Sequence, residues 1–201
     1  TVDITPTYIA GHSLGEYSAL VAANSISITE ALKLVRKRGE LMESAPNGSM
    51  SAIMGLDNNV IGEICLNASH GDSSHVQCAN LNSPNQTVIS GHDDAVIRAQ
   101  DLCIAKGAKR AIKLKVSIAS HSKLMLSAAD EFQKTLECVT FKMPDINIIH
   151  NVSVNSSTSS KDIPSLLVSQ LHSPVRWVEA CNFISQLNLP IIECGPGKVL
   201  S

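Results

Sequence analysis

Apolar residues in this chain switch repeatedly between short continuous runs and a three-to-four spacing, and each switch marks a prospective element. The run Tyr8-Ile9-Ala10 reads as a strand, with a helix behind it over residues 16–23. Ser27-Ile28-Thr29-Glu30 is a capping box, in which each side chain satisfies the other residue's backbone N–H. It opens a helix to about residue 45, just before Pro46. Lys33, Arg36, Lys37, Glu40 and Glu43 recur at helical spacing and define its solvent face. Arg38 is off that face. It stands three or four residues from Leu34, Val35, Leu41 and Met42 and so projects to the apolar side. Burying an unpaired guanidinium is costly, and spacing alone favours an internal salt bridge or a snorkelling side chain over an external anion.

From residue 48 to about 115 the texture changes. The order is strand (49–54), helix (58–68), strand (75–79), strand (86–90), helix (93–106) and strand (110–116). This β-α-β-β-α-β series is the signature of a ferredoxin-like module, here inserted into a larger α/β domain. Ala119-Ser120-His121-Ser122 then leads into a helix over 123–136. A strand over 146–154, a polar surface loop over 155–162, a helix over 164–171 and another helix from about Pro174 follow. Residues 190–193 read as a strand, closed by Gly195-Pro196-Gly197. The alternation implies a parallel sheet covered on both faces.

With 201 residues, 44% of them hydrophobic and 17% charged, the chain can bury a sizeable core in one domain with a smaller subdomain. A net charge of -2 gives no electrostatic reason to expect nucleic acid or an anionic membrane as partner. No apolar run is long enough to span a bilayer, and nothing at Thr1 resembles a signal peptide. Cys65, Cys78, Cys103, Cys138, Cys181 and Cys194 are scattered without a Cys-x-x-Cys pair, which suits reduced core thiols in a cytosolic protein.

Gly11-His12-Ser13-Leu14-Gly15 falls between the first strand and the first helix. A Gly-x-Ser-x-Gly pentapeptide there describes a serine on a sharp turn with its hydroxyl outward. A side chain at either glycine is expected to block the close crossing of strand and helix. Peptide N–H groups at the helix start can stabilise an oxyanion. The alternative is a glycine-rich turn of any α/β protein.

A serine nucleophile needs a base. Of seven histidines, His12 is expected to point away from the hydroxyl, and His70 and His75 to be solvated in a polar loop. His92 starts a helix, His150 lies in an apolar strand run and His172 sits beside a helix end. His121, at a loop-to-helix boundary, is the base candidate. Asp57, Asp72, Asp93, Asp94 and Asp101 all lie in or beside the inserted module, so no acid for a triad is evident. A Ser-His dyad oriented by a neutral acceptor is the better reading. No cluster has metal-ligand spacing.

The chain resembles the malonyl-CoA:acyl carrier protein transacylases of bacterial fatty-acid synthesis. Matching strings run from Gly11 through Glu16-Tyr17-Ser18-Ala19-Leu20-Val21-Ala22, then Leu34-Val35-Arg36-Lys37-Arg38-Gly39. They continue in Asn80-Leu81-Asn82-Ser83-Pro84-Asn85-Gln86-Thr87-Val88-Ile89-Ser90-Gly91 and Val116-Ser117-Ile118-Ala119-Ser120-His121-Ser122. The last are Gln170-Leu171, Pro174-Val175-Arg176-Trp177 and Glu193-Cys194-Gly195-Pro196-Gly197-Lys198-Val199-Leu200.

The resemblance implies an α/β-hydrolase-like core (residues 1–47 and 116–201) with a ferredoxin-like insertion (48–115). It implies Ser13 as the nucleophile carrying the malonyl ester and His121 as general base and acid. The backbone carbonyl of Gln170 would orient the histidine, and Leu14 would supply an oxyanion N–H. Arg38 would hold the malonyl carboxylate, which reverses the reading from spacing and explains discrimination against acetyl-CoA. Asn82 is expected near the site. Malonyl-CoA, CoA and acyl carrier protein are the implied partners of a cytoplasmic monomer that needs no metal or other cofactor. The family's opening strand, its Gly-Gln-Gly-Ser-Gln segment with a second oxyanion donor, and its C-terminal segment do not occur here. A fragment is therefore expected, with an inactive truncated chain, or a serine hydrolase or thioesterase on the same elbow, as the alternatives.

Overall fold

The computed structural model describes residues 4–157 and 159–195. In chain order its elements are β1 (Tyr8–Ala10), α1 (Gly15–Ala22), α2 (Ile28–Ser44), β2 (Ser49–Met54), α3 (Asn58–Ala68), β3 (Val76–Ser83), β4 (Gln86–Gly91), α4 (Asp93–Ala105) and β5 (Arg110–Lys113). A 3-10 turn (Lys123–Met125) then runs into α5 (Leu126–Leu136), followed by β6 (Asn147–Ile149), α6 (Asp162–His172) and α7 (Trp177–Gln186). The capping box of α2 forms as expected, with Glu30 N–H on Ser27 Oγ and Ser27 N–H on Glu30 Oε2, both at 3.2 Å. Such a cap contributes about 1 kcal/mol.

β2, β3, β4 and β5 form one sheet in the order β3-β4-β2-β5, and every ladder in it is antiparallel. β2 and β3, joined through α3, run parallel with β4 between them, which is the ferredoxin-like arrangement. Strand alternation sorts the residues by face. Ile53 and Ile89 pack with Ile61 and Ile64 of α3 and Val96 and Ala99 of α4, while Met50, Ala52 and Val88 pack on the opposite face with Ala79.

β1 and β6 pair in parallel, Ala10 opposite Ile149. A separate apolar core gathers around them: Leu20 of α1, Leu34 of α2, Phe132 and Leu136 of α5, Ile148 of β6, and Ile163 and Leu167 of α6. The two strands end side by side, so Gly11–Ser13 and His150–Asn151 emerge together at their carboxyl ends, the usual place for a site in an open parallel sheet.

Several expectations need correction. The strand expected over 146–154 stops at Ile149, because the chain turns back there and Val154 N–H bonds the His150 carbonyl at 3.0 Å. β5 ends at Lys113, where its ladder with β2 reaches Ser51 and stops. β3 instead extends to Ser83, continuing the hairpin with β4. Residues 190–193 form no strand: none of the described strands pairs with them, Pro190 has no N–H to donate, and Ile191 is 72% exposed. Cys65 and Cys103 are buried thiols, but Cys138 and Cys194 are exposed rather than core residues. The expected surface loop over 155–162 is half-buried at Ser157, whose hydroxyl lies 2.7 Å from His150 Nε2. Pro196-Gly197-Lys198-Val199-Leu200 of the last matching string lies outside the described residues. Among the described residues no helix is long and apolar enough to cross a membrane.

Candidate active site

The turn between β1 and α1 is held by geometry that only its first glycine must permit. A Cβ on Gly11 would sit 2.1 Å from the carbonyl carbon and oxygen of Gly15, so any side chain there collides with backbone. Gly15 has nothing within 4 Å of a notional Cβ, which corrects the expectation that both glycines guard the crossing. Ser13 takes the sparsely populated left-handed conformation, φ 49°, as a strained elbow requires.

Ser13 Oγ lies 2.9 Å from His121 Nε2. His121 Nδ1 lies 2.6 Å from the Gln170 backbone carbonyl, which can only accept. The proton is therefore on Nδ1, and Nε2 presents a lone pair to the serine hydroxyl. His121 is 3% exposed, and burial pushes its pKa down to about 4 against the opposing pull of the Gln170 carbonyl; the nearby Arg38 and His12 lower it further. At neutral pH the imidazole is a neutral acceptor. Its backbone also adopts a left-handed conformation, φ 58°, pinned by its N–H on Leu171 O (2.9 Å) and its carbonyl under Gln77 Nε2 (3.0 Å).

Arg38 is buried, 7% exposed, with its guanidinium 6.0 Å from the centre of the Tyr17 ring. Nη2 donates to Ser13 Oγ at 3.2 Å and to Gln170 Oε1 at 3.3 Å. Nε is buried with no hydrogen-bond partner among the described residues. These described acceptors are neutral oxygens, so the internal salt bridge that spacing favoured is not formed with either. Burial lowers the arginine's pKa, while Tyr17 and Glu16 raise it.

Ser13 N–H is occupied by Asn151 Oδ1 at 2.7 Å, whereas Leu14 N–H makes no bond among the described residues and stands at the start of α1. Leu14 itself is exposed. Asn82 accepts from His12 Nε2 at 2.9 Å, and the His12 ring packs edge-on to Trp177. Burial lowers the His12 pKa, partly offset by the Asn82 bond. The structure thus brings Ser13, His121, Arg38 and Gln170 into direct contact and sets Asn82 beside the elbow through His12.

Sequence reasoning missed the layer beneath. Glu16, 1% exposed, accepts from His150 Nδ1 (2.6 Å), Asn151 N–H (3.2 Å) and Gln170 Nε2 (2.7 Å). Asn151 Nδ2 donates to the Gly11 carbonyl at 2.7 Å, so one amide bridges both ends of the turn. The available signal was a polar pair, His150-Asn151, closing an apolar run. Among the described residues no group of three His, Cys, Asp or Glu could hold a metal.

The model of the acyl transferase domain family matches residues 2–199. The malonyl CoA-acyl carrier protein transacylase of Haemophilus influenzae is 46% identical over 98% of this chain. The chain spans 64% of that relative's length. A crystal structure of an acyl carrier protein S-malonyltransferase from Vibrio cholerae superimposes with a TM-score of 0.94 at 48% identity, covering 98% of this chain and 65% of that one. A malonyl-transacylase in complex with a type II polyketide acyl-carrier protein gives 0.88 at 44% identity, covering 92% and 60%.

Proposed function

Because this chain belongs to the acyl transferase domain family, we propose that it carries the reacting core of a malonyl-CoA:acyl carrier protein transacylase. The observation that carries the reading is the continuous array Gln170 carbonyl–His121–Ser13, with a buried arginine whose Nε is orphaned at its edge.

Ser13 Oγ attacks the thioester carbonyl of malonyl-CoA as His121 Nε2 takes its proton. Leu14 N–H stabilises the oxyanion at the helix start. The intermediate collapses, the C–S bond breaks, and the imidazolium returns the proton to the CoA sulfur. In the second half-reaction the phosphopantetheine thiol of acyl carrier protein gives its proton to His121 and attacks the malonyl-serine ester. The Ser13 oxygen leaves and regains that proton. Arg38 holds the malonyl carboxylate by a two-point contact through Nε and the Nη2 hydrogen released by Ser13 Oγ, while the other Nη2 hydrogen stays on Gln170 Oε1. Asn82 steadies the site's rim through His12. The cytoplasm, with malonyl-CoA and acyl carrier protein in solution, is the compartment this chemistry fits, and the enzyme acts as a monomer. The core is residues 1–47 and 116–201, and 48–115 is the inserted module.

The test uses the complete polypeptide that carries this sequence. Arg38→Ala should lower kcat/KM for malonyl-CoA by about 10²-fold, the scale of a charge left unpaired in a desolvated site, and leave acetyl-CoA equal or improved. Arg38→Lys should rescue only in part. An equal fall for both substrates would make Arg38 structural, and transfer to water alone would make the enzyme a hydrolase.

A further inference from the structure

Arg38 does not choose its own position. Its Nη2 rests on Gln170 Oε1, and which end of that amide faces the guanidinium is decided elsewhere. Gln170 Nε2 has two hydrogens and two acceptors in reach, Glu16 Oε2 at 2.7 Å and the Ser13 carbonyl at 3.2 Å. Turning the amide over would set its oxygen against both of those oxygens and its NH₂ against the guanidinium. All three contacts agree on one orientation. Glu16 is anchored in turn from behind, through His150 Nδ1, whose Nε2 lies against Ser157 Oγ, and through Asn151 N–H.

Resting on the reading of Arg38 as the malonyl clamp, we propose that Glu16 is a positioning residue for acyl selection. It fixes the polarity of the Gln170 amide, and that amide in turn aims Arg38. Glu16 touches no substrate. Its effect is carried by a neutral side chain, so a full carboxylate never sits directly on the guanidinium to compete with the malonyl carboxylate for it.

The orientation of His121 does not pass through this route, because it depends on the Gln170 backbone carbonyl, which every side chain at that position retains. Loss of the relay should therefore show in which acyl group is accepted more than in the use of the base.

The experiment measures kcat/KM for malonyl-CoA and acetyl-CoA in the complete polypeptide, for wild type, Glu16→Gln, Gln170→Leu and the double variant. The malonyl-over-acetyl ratio should fall about tenfold in each single variant, the scale of one hydrogen bond to a charged group. The double variant should fall no further, because both changes break one chain of contacts. A ratio that stays at the wild-type value while both rates fall together makes Glu16 a structural residue and overturns the inference. Additive losses in the double variant do the same. If Glu16→Gln does not fold, Glu16→Asp carries the comparison: it keeps the charge and withdraws the oxygens by one methylene. A wild-type enzyme that does not prefer malonyl-CoA would instead sink the reading of Arg38, a separate failure.

Discussion

The inserted module and the elbow are built on opposite terms. Between the β3-β4-β2-β5 sheet and its helices the packing is apolar: Ile53, Ile61, Ile89 and Val96 fill it, and ion pairs such as Arg98–Asp94 stay on the surface. Beneath Ser13 the chain buries Glu16, Arg38, His121, His150, Asn151 and Gln170 within one hydrogen-bonded group. An apolar core tolerates exchange of one hydrophobe for another of similar volume. A buried polar network does not, since each lost partner orphans a group that water cannot reach. The module thus contributes packing and none of the residues touching Ser13, while the elbow sets its polar network above a second apolar core around β1 and β6.

The sharpest test of that division is Ser13→Ala. It should abolish covalent malonyl loading, read by intact mass after incubation with malonyl-CoA, and, because Ser13 is only half-buried and water can take the place of its hydroxyl, change unfolding free energy by no more than ~1 kcal/mol. Ile53→Ala is the mirror experiment. It should destabilise by about 2–5 kcal/mol in chemical denaturation, and the molecules still folded should keep wild-type kcat. A Ser13→Ala protein that unfolds, or an Ile53→Ala protein with altered kcat, would break the comparison.

The smallest effect expected is in pH. Burial holds the His121 pKa near about 4, so the neutral base survives to lower pH than an ordinary histidine. The acid limb of kcat/KM should fall through about 4 rather than through 6.5. Folding follows the same sign. The unfolded histidine takes up its proton near 6.5 and the buried one resists until about 4, so this residue's contribution to stability is lost as pH falls across that window. An acid limb near 6.5 would mean that the imidazole is better solvated in the working enzyme.

The two regions also differed in how far they could be read in advance. In the module, alternating strands and amphipathic helices repeat their pattern within a few residues, so β2 and α3 appear at their expected bounds. Ser13 was legible as a candidate from its Gly-x-Ser-x-Gly turn, and His121 only as the histidine left once the other six had plainer explanations. Arg38 was legible as an anomaly on a helix face, but its surroundings were not, since Gln170 is 132 residues away. Glu16 was read only as the first residue of a helix, and His150 and Asn151 as residues within the strand expected over 146–154. Their role exists only where β1, β6, α1 and α6 meet. The failed strand over 190–193 has the same origin, because a strand is completed by its neighbour.

The main-chain contact from Gln170 to His121 has a consequence for descent. The atom that orients the base belongs to the backbone, so no codon change at position 170 removes it while α6 keeps its course. The amide above it belongs to the side chain, and its contacts with Arg38 and Glu16 go with any change of residue there. On the function proposed for this chain, descent would then vary the acyl group through the side chain at position 170 while leaving the partner of His121 Nδ1 in place.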